Sequence, residues 1–195
     1  MQVVVVVAHP NSDSFGHALA ERAVSAAARA GHEVHLLDLY ALGVSAAMTA
    51  EEHHAYHGDT PILDPVIAAH AALVRAADTL VFVYPTWWST VPAILKGWLE
   101  RTMAPGVAFV FDANGKVRPG LTNIRCIVGI STYGSPRAYV KLVNDNGRRT
   151  LTRALRLNTG LRTRRSWLGL YAIDTATAAQ RAAFLDRVDR KMGSL

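Results

Sequence analysis

Apolar, β-branched runs alternate with stretches of helical period along the whole chain, the pattern of a parallel sheet covered by helices on both faces. QVVVVVAH (2–9) predicts a first strand, because an unbroken valine run suits a strand buried on both sides. FGHALAERAVSAAARAG (15–31) predicts a helix that Gly31 stops, and HEVHLLDL (32–39) a second strand. Residues 40–65 show no clear period and predict the longest irregular connection, a length that is uncommon unless the loop carries function or meets a partner. A helix follows at 64–78, with Pro65 suited to its first turn. Strand three is expected at 79–85, a helix at 91–103, and a turn-bearing excursion at 109–120 around Asn114-Gly115. Strand four (123–131), an interrupted helix (138–160), strand five (164–173) and a closing helix (177–192) complete the series. No repeat, low-complexity tract or linker divides it, so the expectation is one doubly wound α/β domain over residues 1–195.

Composition narrows the class. Half of the residues are apolar, which excludes a disordered or collagenous chain. The sequence opens MQVVVVVAHP, with no basic leader and an apolar run far short of the roughly 20 residues that span a bilayer, so a cytoplasmic protein that is not integral to a membrane is expected. The single cysteine, Cys126, lies in an apolar run and reads as a buried structural thiol. The net charge of +6 admits nucleic acid, an anionic membrane or an anionic small molecule as partner. Basic residues concentrate between Arg137 and Arg165, where Asp145 is the one acid, and Arg149, Arg153 and Arg156 share a face of a regular helix. No aromatics interleave that face, so a solvated basic surface is expected and not a nucleic-acid site, with steering of anionic cofactors between the two.

In doubly wound sheets ligands bind outside the carboxyl ends of the strands, at the switch point of strand order. Three loops fall there: HPNSDSFG (9–16), PTWWST (85–90) and STYGSPRAY (131–139). The first lacks both the dinucleotide fingerprint and the P-loop pattern. Its polar residues precede a helix whose free N–H groups favour a phosphate, although Ser12 or Ser14 as a plain N-cap explains them equally well. In the second, Trp87 and Trp88 either cover the core edge or wall a flat ring, with the amides of residues 86–90 near the ring's polar edge. A ring plus a phosphate points to flavin ahead of an adenine nucleotide. EEHHAYH (51–57) places His53 and His57 on one face if helical, but no third ligand is evident, and an exposed polar segment without metal is expected.

Together VVVVVAHPNSDSFGHAL, YPTWWSTVPAILKGWLERTM, GVAFVFDANGK and ISTYGSPRAY resemble, in order and over most of the chain, the NAD(P)H:quinone oxidoreductase family of flavodoxin-like flavoproteins. The resemblance implies a flavodoxin-like fold with a five-stranded parallel sheet of order 2-1-3-4-5. It implies hydride transfer from NAD(P)H to flavin N5 and on to a quinone-like acceptor, in a homodimer with its sites at the interface. By position it puts His9, Ser14 and Phe15 at the flavin phosphate and ribityl chain, and Pro85, Thr86, Trp87, Trp88 and Ser89 along the isoalloxazine. Ser131, Thr132, Tyr133 and Gly134 fall at the pyrimidine edge. Trp88, Tyr133, Phe109 and Phe111 fall at the acceptor slot, the two phenylalanines reaching toward a partner subunit. Tyr139 matches the tyrosine that donates to the reduced ring, and Arg181 an arginine that contacts the adenosine of FAD; Gly16, where relatives have Asn after Ser-Phe, speaks for FMN, and FAD is slightly favoured. Two departures stand out: Asp145 replaces a histidine six residues after the tyrosine, and Tyr133 replaces a small glycine. A flavin-bearing regulatory subunit, such as those bound to potassium-efflux systems, is the alternative reading, and a single-electron carrier fits the basic charge poorly.

Overall fold

A computed structural model describes residues 1–195. The valine run forms β1 (Gln2–Val7), whose side chains alternate between two buried clusters: Val4, Val6 and Ala8 enter one, and Val3, Val5 and Val7 the other. Period-two side chains and apolar residues at every position require cover on both sides. Helices α1 (Phe15–Arg29) and α8 (Ala178–Met192) cover one face through Leu19, Ala23, Phe184 and Val188. Helices α3 (Pro65–Ala76) and α4 (Ala93–Thr102) cover the other through Ile67, Val74, Leu95 and Trp98. β2 (Glu33–Asp38) pairs on one side of β1, and the chain then crosses to lay β3 (Thr79–Thr86) on the other. The five-stranded parallel sheet is β2-β1-β3-β6-β7, with β6 at Cys126–Tyr133 and β7 at Arg164–Leu170. Counting sheet strands alone, this is the expected 2-1-3-4-5, and its switch point lies between β1 and β3. The excursion is a separate antiparallel pair, β4 (Phe109–Phe111) and β5 (Val117–Pro119), turned over Gly115 at φ 72°. No helix is long and apolar enough to cross a membrane.

Two segments differ from expectation, and the helix expected to be interrupted is interrupted. The connection at 40–65 contains α2 (Ala50–Ala55), started by a capping box in which Thr49 Oγ1 accepts from Glu52 N and Glu52 Oε2 accepts from Thr49 N. The T-x-x-E spacing that announces it is present in the sequence. The helix at 138–160 is broken into α5 (Arg137–Leu142), α6 (Asn146–Arg149), a π-helical turn (Thr150–Ala154) and α7 (Leu155–Thr159). The first break occurs where Asn144 and Asp145 both take positive φ, 76° and 43°. Strand five ends at Leu170, because Ala172 turns the chain through the left-handed region into a 3-10 turn, Ile173–Thr175.

A buried ion pair fixes the long connection to the sheet's cover. Arg101, at the end of α4, donates from Nε (3.0 Å) and Nη2 (2.6 Å) to Glu52 Oε1, from Nη2 to Asp64 Oδ2 (2.7 Å) and from Nη1 to Ser45 O (3.0 Å). Residues read from the sequence as an exposed polar stretch thus include a buried Glu52. Beside it, Gly97 lets the backbone of Ala46 lie against α4, since a Cβ there would stand 1.9 Å from Ala46 O.

Arg101→Leu strands two carboxylates and is expected to cost about 3–5 kcal/mol in urea unfolding. Burial pushes the Asp64 carboxyl up, but the Arg101 hydrogen bond and those from the Val66 and Ile67 amides outweigh it, leaving Asp64 below its ordinary 3.8. A depressed carboxylate stabilises the fold above its unfolded pKa, and that contribution is lost as pH falls through the folded value. Asp64→Asn therefore flattens the decline in stability below about pH 4, measured by unfolding at stepped pH.

Candidate functional site

The loops after β1, β3 and β6 meet at the switch point. After β3 the chain makes a two-residue hairpin turn: Trp87 and Thr90 exchange backbone hydrogen bonds (3.2 and 3.0 Å), and Trp88 and Ser89 sit at φ 48° and 59°. Both central residues of such a turn need positive φ, which is why glycine or asparagine usually occupies it. A β-carbon there costs on the order of 1–2 kcal/mol per residue. Trp88 gains no burial in return, since it is 99% exposed. An exposed aromatic held in a strained turn marks a position kept for something other than folding.

This turn forms one side of a cavity of about 460 Å³, within the range of small-molecule sites. Thr86, Trp87, Trp88 and Ser89 line it from the β3 side, Tyr133, Gly134 and Ser135 from the β6 side, and Tyr139, Val140, Val143 and Asp145 from α5 and its exit. The amides of Trp88, Ser89, Gly134 and Ser135 make no hydrogen bond within the protein, so the cavity is edged by free donors. Its two walls are joined at the base by Thr86 Oγ1 and Ser131 Oγ, 2.8 Å apart.

The β1 loop adds a second group of donors next door. His9 lies against Trp87, ring centroids 6.1 Å apart. Its Nδ1 is 3.1 Å from both N and O of Asn11, which anchors the ring to the loop and leaves Nε2 uncommitted. Burial first, and the neighbouring His17, hold the His9 imidazole below its ordinary pKa against the Asn11 hydrogen bond that raises it, so the ring is neutral at pH 7. Ser14 caps α1 by accepting from His17 N (3.2 Å), and His17 Nε2 is fixed by Asp38 Oδ2 (2.8 Å). The amides of Ser12, Phe15 and Gly16 stay unpaired at the start of this 15-residue helix. Free N–H groups on the positive end of a helix dipole favour an anion. Ser14 is thus the N-cap that the sequence allowed, and it leaves the neighbouring amides free.

Under the cavity runs a polar cluster. Tyr133 is 1% exposed, and its hydroxyl turns inward, donating to Asp145 Oδ1 (3.1 Å) and accepting from Trp167 Nε1 (3.1 Å). Its ring stacks on Tyr171 at 4.5 Å and 16°. Burial raises the Asp145 carboxyl above its ordinary value despite the Tyr133 hydrogen bond and the Arg148 and Arg149 charges. Tyr84, also buried, has a hydroxyl without any partner; burial, with Tyr133 and Asp145 nearby, pushes its pKa well up and keeps it neutral. Gly147 permits this packing, because a Cβ there would lie 2.9 Å from the Tyr84 hydroxyl.

Of the residues singled out from the sequence, Thr86, Trp87, Trp88, Ser89, Tyr133, Gly134 and Tyr139 line the cavity, and His9, Ser14 and Phe15 adjoin it. Pro85, Ser131 and Thr132 lie in the paired strand ends, where Pro85 faces Thr132. Phe109 and Phe111 form an edge-to-face pair on the outlying hairpin, and Arg181 on α8 donates to Ile173 O of the preceding 3-10 turn; none of the three lines the cavity. Val140 and Val143 were missed; Ser135 fell inside the third loop and Asp145 was noted in place of the family's histidine, without either being named as lining a cavity. Val143 was findable from its i+4 spacing to Tyr139, and Asp145 as the lone acid in a basic segment. No three His, Cys, Asp or Glu side chains gather anywhere to hold a metal ion.

A family profile described as Flavodoxin-like fold matches residues 1–188. The chain is 33% identical over 153 residues to NAD(P)H dehydrogenase (quinone) 1 of Cavia porcellus, covering 71% of this chain and 55% of that protein. It is 32% identical over 166 residues to the ribosyldihydronicotinamide dehydrogenase (quinone) of Homo sapiens, covering 75% of this chain and 70% of that protein. The chain thus spans little more than half the length of the first of these relatives. Among solved structures it superposes on an NAD(P)H:quinone oxidoreductase from Methanothermobacter marburgensis with a TM-score of 0.83 at 23% identity, covering 99% of this chain and 98% of that one.

Tyr133→Phe removes the hydroxyl that serves Trp167 and Asp145 together. It is expected to cost about 1–3 kcal/mol of stability and to move the Asp145 carboxyl further up, read by carboxyl-resolved NMR titration.

Proposed function

We propose that this chain, which belongs to the NAD(P)H:quinone oxidoreductase family of flavodoxin-like proteins, is a flavin-dependent reductase that passes a hydride from NAD(P)H to a quinone or related two-electron acceptor. The observation that carries this reading is the pairing of an aromatic-walled cavity, edged by free amides, with a separate set of free amides at the start of α1. A planar ring with a phosphate tail needs both and a catalytic triad needs neither; the likeness to quinone dehydrogenases favours a flavin over an adenine nucleotide as that ring. The redox chemistry is the flavin's own: it accepts a hydride at one ring nitrogen and gives it up again.

The protein's share is to bind, orient and stabilise charge. The Ser12, Phe15 and Gly16 amides, with His9 Nε2–H, would hold the phosphate. Trp87 and Trp88 would lie along the ring, and the amides of Trp88, Ser89, Gly134 and Ser135 would donate to its polar edge. Those donors are preorganised by the β3 turn and the β6 end, so stabilising negative charge requires no rearrangement. Tyr139, half exposed on the first turn of α5, is the phenol at the cavity mouth that would donate to the reduced ring or to the acceptor oxygen. Tyr133 does not narrow the slot as a free side chain: its hydroxyl is spent on Asp145 and Trp167, and it acts as floor. Asp145 takes the place of the family's histidine at the cavity wall. FAD is our preferred cofactor with FMN the alternative, and a homodimer would bring Phe109 and Phe111 to a neighbouring site.

The visible spectrum of the purified protein, before and after anaerobic NADPH and then a soluble quinone, tests this. Flavin bands that bleach and return are expected, and the released cofactor decides FAD against FMN. A chain that stays colourless after incubation with both flavins sinks the reading. Trp88→Gly separates fold from site: relief of the φ 48° strain raises apo stability by about 1 kcal/mol. The same change weakens flavin binding on the order of tenfold for the lost ring contact.

A further inference from the structure

Beside the aromatic cavity, and sharing Asp145 with it, lies a second concavity of about 320 Å³ whose lining contains no apolar residue. Lys141, Arg148, Arg149, Arg153 and Arg165 face it, and Asp145 is its one carboxylate. None of these five cations has a carboxylate within ion-pair distance, although Arg22, Arg29, Lys96, Arg101, Arg118 and Arg125 all do. Five unpaired cations around one hollow repel each other, and an anionic ligand is what relieves that repulsion.

The hollow is built by the backbone. The sequence placed Arg149, Arg153 and Arg156 on one face of a regular helix, but the π-turn at Thr150–Ala154 changes the phase. Widening the turn brings residues five apart into line, so Arg148 and Arg153 open onto the same cleft, while Arg156 turns away to donate to Leu161 O. Two of the cations are held in place. The Arg148 guanidinium lies over the Trp167 ring, 5.8 Å from its centroid, and Arg165 Nη1 donates to Thr152 O at 3.1 Å. A solvated basic face has no reason for such fixing. Guanidinium groups held as a fork match phosphate oxygens in geometry as well as charge.

We infer that this cleft binds a phosphate group of the nicotinamide donor, either the adenosine 2′-phosphate or the pyrophosphate, while the donor's ring end occupies the aromatic cavity. The inference rests on the reductase reading for the identity of the ligand, and on the cleft's own geometry for its charge. If the 2′-phosphate is the group bound, the chain prefers NADPH to NADH.

The test uses probes that lack the nicotinamide ring, so that binding is read without turnover. Flavin-loaded protein is titrated with 2′,5′-ADP and with 5′-ADP, followed by calorimetry, and the titrations are repeated with the exposed-residue double variant Arg149→Gln, Arg153→Gln. Both probes are expected to bind less tightly as salt rises, and the double variant to weaken binding about tenfold and raise KM for NADPH by the same factor, with flavin affinity unchanged. Tighter binding of 2′,5′-ADP assigns the 2′-phosphate; tighter binding of 5′-ADP, the probe that carries a diphosphate, assigns the pyrophosphate. Absence of binding, or binding the double variant leaves untouched, overturns the inference. Should the protein take up no flavin, the same titrations on the flavin-free chain still decide the cleft, and only the reductase reading falls.

Discussion

Everything in this molecule depends on β1 being buried on both faces. Its valines alternate between two apolar clusters, and that strand can be satisfied only at the interior of a parallel sheet with helices above and below. Once β1 is central, β2 must lie to one side and β3 to the other, and the crossing between them leaves a crevice at the carboxyl ends that no helix fills. The loops at the candidate site are consequences of that arrangement, since they are the connections leaving β1, β3 and β6.

Strain is concentrated where the core can hold it. Trp88, Ser89, Asn144 and Asp145 take left-handed conformations at the cavity and at the α5 exit that bounds it. Each costs free energy that packing elsewhere offsets, and the polar floor of Tyr133, Trp167 and Asp145 holds the α5 exit to the sheet. The outcome is a rigid edge of free amides with an exposed indole above it, a geometry useful for binding and of no benefit to folding.

The protein treats its cations in two ways. Arg101 is buried and fully matched, with two carboxylates and a carbonyl, and serves to tie the long connection to α4. The arginines at the π-turn are left unmatched around a hollow. The same residue type is structural in one place and available in the other, and the difference lies in whether a carboxylate from a distant segment arrives beside it.

Strand and helix identities were legible because they rest on local periodicity: the valine run, the apolar faces of α1 and α8, and Pro65 at the start of α3 all act within a few residues. The α2 capping box was legible too, but a six-residue helix has almost no period to announce it. The loops carrying the site were legible by place, since topology assigns ligands to strand ends. What the sequence could not determine was direction and partnership. That Tyr133 points inward to Asp145, that Glu52 meets Arg101 across 49 positions, and that a π-turn moves Arg156 off the face of Arg149 and Arg153 all depend on segments far apart in the chain. Side-chain pattern alone decided that this chain is a doubly wound α/β domain with its openings at three named loops. Tertiary packing decided which polar groups those loops leave unpaired, because a hydrogen bond or ion pair across the fold exists only once the backbone has brought both partners together.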